Sequence, residues 1–179
     1  KKAELIDGIV YMASPVRADL HSGPDALIQG WMFLYAAATT GVKPYTNATL
    51  QLGPRTIPQP DALLRILPEF GGSSRVDEDG YIAGPVELAA EIAASSSSMD
   101  AREKFAAYET GGIREYLLWR TEDEAIDWWV LREGQYRPLA PAADGSLRST
   151  VFPGLWLDIE ALLTGDLARV AAKVSEGVN

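Results

Sequence analysis

Cysteine is absent from the 179 residues, which excludes disulfides and thiolate–zinc sites. Histidine occurs once, at His21. No apolar run approaches the roughly 20 residues that a membrane-spanning helix needs. The opening KKAELIDG has a basic pair but not the long apolar core of a secretory signal, and without an initiator Met a short missing start is expected. Together these absences point to a cytoplasmic protein outside the membrane. Positive charge is also short: 16 Lys and Arg against 25 Asp and Glu leave a net charge of −9. That balance argues against a broad nonspecific nucleic-acid surface, because phosphate binding rests on Lys and Arg. It leaves room for a narrow site where a metal ion neutralises carboxylates.

What is present is the composition of a folded soluble chain, 47% hydrophobic and 23% charged, long enough for one full core. There are no internal repeats, and the serine tract at 95–98 is too short for a linker, so one domain over 1–179 is expected. ELIDGIVYM (4–12) reads as a strand pair closed by Asp7-Gly8, a strong hairpin signal between apolar flanks. Ser14-Pro15 breaks the pattern. Leu27, Trp31, Leu34 and Tyr35 fall near helical spacing, with Pro24 suited to a first turn and Gly41 as a stop, and predict a long helix at roughly 25–39. His21, just before it, has a surface or capping role as its ordinary reading.

VKPYTNATLQL (42–52) reads as a strand kinked at Pro44, and Pro58 and Pro60 frame a turn. Asp61 heads an apolar strand at 61–67, as an ordinary turn aspartate or as a carboxylate pointed into a cleft. Residues 68–85, rich in Gly, Ser and acid, predict an exposed loop. In AIDWWVL (125–131), Ile126, Trp128 and Val130 share one strand face and Asp127, Trp129 and Leu131 the other. Trp129 is covered either by a partner chain or by local packing. GQYRPL starts the next hairpin strand, Pro153-Gly154 marks a turn, Ile159–Leu163 is a short helix, and the tail from Asp166 forms a last one.

The centre of the chain is VELAAEIAASSSSMDAREKFAAYETGGIREYLLW (86–119), read as strand, polar loop, helix, strand. Strand alternation puts Glu87, Ala89 and Glu91 on one face and Val86, Leu88, Ala90 and Ile92 on the other. A carboxylate in a buried strand is costly unless paired or bound to a cation, so Glu91 is either a paired structural glutamate or a site residue. In the helix, Asp100 with Glu103 resembles a capping box; Ala101, Phe105 and Tyr108 form the buried stripe, and Gly111-Gly112 stop it. Lys104 and Tyr108 lie four apart and meet at the stripe's edge. Lys104 could reach back over the Glu91 strand, but spacing alone favours a solvated lysine paired with Asp100.

ELIDG, the following SP, PDALL, VELAAEIAAS, DAREKFAAYETGGIREYLLW and VFPGLWLDIEAL, in that order, carry a family resemblance over nearly the whole chain. The sequence resembles the "Uma"-type restriction-endonuclease family of bacteria, within the PD-(D/E)XK nuclease-like superfamily. The resemblance implies an α/β (α+β) fold, a restriction-endonuclease-like core in which helices flank a central mixed sheet. It also implies a metal-dependent endonuclease that uses Mg²⁺ or Mn²⁺ on nucleic acid. DNA as that nucleic acid and a homodimer are further expectations. Asp61 and Glu91 take the places of the motif carboxylates and metal ligands. The motif lysine position is Ala93, and Lys104 on the next helix is the candidate for a migrated lysine. His21 and, ranked below it, Glu4 lie in segments that approach the metal in such folds.

The chemistry is coherent. Two carboxylates hold a hard cation through oxygen, and the ion activates water and neutralises the charge developing at phosphorus. A nearby lysine stabilises that charge. The competing readings are a nuclease fold that binds or assembles without cutting, and a structural oligomer with Trp129 in its interface. Metal binding separates the first reading from the other two. A basic rim from Arg17, Arg55, Arg65 and Arg102 is expected beside the carboxylates if the chain is a nuclease.

Overall fold

The structure, a computed structural model, describes residues 3–12, 17–95 and 99–179, with the backbone alone for 99–101. The Ser14-Pro15 break, the serine tract beyond Ser95, the Asp100 cap and the burial of Ala101 lie outside the described residues.

Asp7 and Gly8 have φ of 51° and 87° and close a two-residue turn between β1 (Ala3–Ile6) and β2 (Ile9–Met12). Two successive left-handed residues match the twist of an antiparallel pair. A π-helical turn at Ala18–Ser22 runs straight into α1 (Gly23–Ala38), which has Pro24 in its first turn. The expected single strand at 42–52 is two: β3 (Val42–Thr46) and β4 (Leu50–Gln51). The break falls at Asn47, whose φ is 50°. Pro44 stays inside β3, an edge strand, where a missing N–H is tolerated. After β5 (Ala62–Ile66) come β6 (Arg75–Val76) and β7 (Ile82–Ala83). These two pair with β4 in a small sheet, so 68–85 is not merely an exposed loop: Ser74 and Ile82 are buried within it.

The chain continues through β8 (Leu88–Ala93), α2 (Met99–Gly111), β9 (Glu115–Arg120), β10 (Ala125–Arg132) and β11 (Gln135–Pro138). It ends with β12 (Leu147–Arg148), β13 (Trp156–Leu157), α3 (Ile159–Leu163) and α4 (Leu167–Val178). Six strands form a central mixed sheet in the order β11-β10-β9-β8-β5-β3. β8 and β9 are its parallel pair, joined by the crossover through α2. Gly112, at φ 81°, turns the chain out of α2 towards β9.

The sheet is covered on both faces. On one, Ala62, Leu64, Leu88, Ala90, Ile92, Leu117 and Trp128 pack against Ile28, Trp31, Met32 and Tyr35 of α1 and against the C-terminal helices. That face is nearly all hydrocarbon. Trp31 meets Trp128 edge-on at 5.5 Å, and Trp31 Nε1 donates to Trp156 O at 3.0 Å. The buried stripe of α1 is 28, 31, 32, 35, and Leu34, expected on it, is 44% exposed. On the other face Leu63, Ala89, Tyr116 and Leu118 meet Tyr108 of α2. Val86 joins this cluster and not the Leu88 side, because it precedes the start of β8 and escapes the strand's alternation. Trp129 stacks on Tyr116 at 5.5 Å and meets Phe105 edge-on at 5.1 Å, so local packing accounts for it.

Candidate functional site

Topology alone brings the two motif carboxylates together. β5 and β8 are antiparallel with Ala62 opposite Ala90. One step beyond that pair sets Asp61, at the head of β5, opposite Glu91 on the face that looks towards α2. The Asp61 carboxylate does not hang free: Oδ2 accepts from the Ile92 N–H at 2.9 Å and lies 3.4 Å from His21 Nε2. His21 comes from the π-helical turn before α1. Asp61, Glu91 and Lys104 are 4%, 5% and 6% exposed, whereas the His21 side chain is 30% exposed and marks the wetter edge of the group.

Lys104 reaches back from α2, against the expectation from spacing. Its Nζ donates to Glu91 Oε2 at 2.9 Å and lies 3.0 Å from Glu4 Oε1. It therefore belongs to the buried face of α2, together with Ala107 and Tyr108, while Phe105 is only partly buried. Burial of an ammonium is tolerable because two carboxylates flank it. Glu4 is held in turn by the Gln59 N–H, which donates to the same Oε1 at 2.6 Å. The Leu5–Ile57 backbone bridge sets that register. Glu4, ranked below His21 on sequence, is thus the one in contact with Lys104. Tyr108, one turn after Lys104, donates its hydroxyl to Glu91 Oε1 at 2.5 Å. Sequence reasoning had the signal for this contact in the four-residue spacing on α2 and assigned it only to packing. Ala93, at the motif lysine position, is partly buried beside the Tyr108 cluster.

Charge follows from this packing. Burial pushes the Glu91 carboxyl up, to about 8; Lys104 opposes the rise, and the charges of Asp61 and Glu4 add to it. Burial on its own lowers Lys104, yet Glu91, Glu4 and Asp61 together hold it well above the usual lysine value. Burial, then the charge of Glu91, keeps the Tyr108 phenol protonated and a donor. Three carboxylates surround one ammonium, so the ionised group carries two negative charges in excess. That excess and the hard oxygen donors fit a divalent cation. Among the described residues no three His, Asp or Glu side chains are gathered as a ready metal cage.

The expected basic rim is thinner than four arginines. Arg65 is buried and donates to Ser74 O at 2.5 Å. Arg17, Arg55 and Arg102 are exposed; Arg17 lies 3.7 Å from Glu122, and Arg55 donates to Asp7 O at 2.9 Å.

The fold and the buried group define a mixed-sheet α/β protein with paired carboxylates and a lysine where β5, β8 and α2 converge. The chain belongs to the Uma2 family, described as "Putative restriction endonuclease", which it matches over residues 1–160. It is also similar to a crystal structure from Anabaena variabilis ATCC 29413 described as "a putative nuclease belonging to DUF820". That likeness has a TM-score of 0.69 at 15% identity, covers 90% of this chain and 89% of the other, and confirms the fold. No curated protein matches the sequence. Among the described residues no helix is long and apolar enough to cross a membrane.

Proposed function

We propose that the chain is a metal-dependent nuclease that hydrolyses phosphodiester bonds of nucleic acid, with DNA as its substrate, in the cytoplasm. One observation carries the reading: a buried group of Asp61, Glu91 and Glu4 around Lys104, with negative charge in excess, in a chain of this family. Asp61 and Glu91 are the residues that would hold Mg²⁺ or Mn²⁺, which supplies an activated water and neutralises charge on the phosphate. The Ile92 N–H fixes Asp61, and His21 meets it from the wetter side. Glu91 must release its proton to act, and Tyr108 orients it by donating to Oε1. Lys104 keeps its proton throughout and offers a positive charge to the phosphate oxygens.

The test is plasmid cleavage with Mg²⁺ or Mn²⁺ by the wild type, Asp61→Asn and Lys104→Met. Cleavage by the wild type and a loss of about a hundredfold or more in each variant is the expected result. Cutting both strands of a duplex calls for two such sites, so the reading includes a homodimer, and light scattering that returns only monomer on DNA removes that part. The burial of Asp61, Glu91 and Lys104 favours one alternative, a nuclease fold that binds without cutting. Metal-independent DNA binding with no cleavage would select it.

A further inference from the structure

Lys104 occupies the position of a cation. Its Nζ lies 2.9 Å from Glu91 Oε2, the carboxylate that the reading above gives to the metal, and 3.0 Å from Glu4 Oε1. A divalent ion and an ammonium cannot both sit against one buried carboxylate without strong repulsion. Metal binding at Glu91 must therefore push Lys104 away from it. A buried ammonium stripped of its partner is severely destabilised. The chain supplies a second partner that already touches it, Glu4. The Gln59 N–H holds Glu4 in place through the oxygen that meets Lys104.

We propose that Lys104 is an internal cation that competes with the metal for Glu91, and that Glu4 is the positioning residue that retains Lys104 when the metal displaces it. Glu4 acts through Lys104 and not as a metal ligand. Its place on the β1–β2 hairpin makes that hairpin part of the site, although β1 and β2 stand outside the central sheet. The proposal rests on the metal-dependent reading of Asp61 and Glu91.

Three consequences separate it from a structural role. Lys104→Met removes the competitor, so Mn²⁺ binds more tightly. Glu4→Gln keeps shape and hydrogen bonding but leaves the displaced ammonium without a counter-charge, so Mn²⁺ binds more weakly. Each change is expected to be on the order of tenfold, within the usual range of coupling between two bound ligands. In the Lys104→Met background, Glu4→Gln should then have little effect, a strong non-additivity.

The experiment is Mn²⁺ titration of the full chain, followed by the electron-spin-resonance signal of the free ion and requiring no cleavage. It covers the wild type, both single variants and the double variant, each first shown folded by circular dichroism. Opposite shifts in the single variants, with the double variant binding as tightly as Lys104→Met, support the proposal. Equal weakening by Glu4→Gln in both backgrounds overturns it and makes Glu4 a ligand. Should Lys104→Met not fold, Glu4→Asp decides, since a retained charge must bind Mn²⁺ more tightly than Glu4→Gln, and equal affinities overturn the proposal. If the wild type binds Mn²⁺ and neither single variant differs from it, the proposal fails while the metal reading stands. If neither the wild type nor Lys104→Met binds Mn²⁺, both fail.

Discussion

Two glutamates sit buried on neighbouring parallel strands, and their surroundings differ in kind. Glu115, at the start of β9, is met by neutral donors alone: Ser149 Oγ at 2.7 Å, the Thr150 N–H at 2.7 Å and its hydroxyl at 2.9 Å, and the Val151 N–H at 3.3 Å. Glu91, further along β8, meets an ammonium and a phenol, with Asp61 and Glu4 close by. Burial raises the carboxyl pKa at both, and at Glu115 the Ser149, Thr150 and Val151 hydrogen bonds oppose the rise. Glu115 is a clamp that ties the 149–151 loop to the sheet, because every donor is fixed and neutral. Glu91 stands among charged groups. The lesson is that a buried carboxylate becomes a functional candidate through the charges that converge on it, not through burial.

The largest expected effect breaks the comparison at the lysine. Lys104→Met leaves three carboxylates without their ammonium, and the metal-free protein should lose about 3–5 kcal/mol of stability. A urea midpoint unchanged from the wild type would mean that the ion pair contributes nothing beyond packing. Mn²⁺ comes next. At ~100 times its dissociation constant it should stabilise the wild type by about 2.7 kcal/mol through mass action. Thermal melts should show most of that gain lost in Glu91→Gln and all of it kept in Glu115→Gln. A wild-type melting temperature indifferent to millimolar Mn²⁺ counts heavily against the metal.

The pH response has a definite sign. The folded pKa of Glu91 is raised from 4.5 to about 8, so the folded state binds the extra proton. Its contribution to stability is present in full below pH 4.5 and is lost as pH rises through about 8. The stability of the wild type relative to Glu91→Gln should therefore fall from pH 5 to pH 8, and urea titrations at several pH values measure it. A difference flat in pH would place Glu91 with an ordinary carboxylate. The smallest effect belongs to the clamp: Ser149→Ala should cost about 1–2 kcal/mol and leave Mn²⁺ affinity untouched.

Much of the frame was legible in local signals. Asp7-Gly8 announced its hairpin, Gly112 ended α2, and the alternation of AIDWWVL placed Trp128 and Trp129 on opposite faces. Those features depend on φ preferences and two-residue periodicity, which neighbours in sequence dictate. The split of 42–52 at Asn47 has little local signal, because a non-glycine left-handed residue is uncommon. The burial of Ile82 was missed because short strands in a polar loop have no period to read.

For the site, sequence by itself determined which residues could act: one histidine, a proline-led Asp61, a carboxylate in a buried strand and a lysine four before Tyr108. It ranked them by spacing, which sees only neighbours along one helix or strand. Tertiary structure decided the partners. Antiparallel pairing of β5 with β8 put Asp61 across from Glu91, the crossover through α2 turned Lys104 inward, and the Leu5–Ile57 bridge delivered Glu4 from the far end of the chain. The physical reason is that a buried charge seeks its counter-charge wherever the fold provides one, and that distance is measured through space.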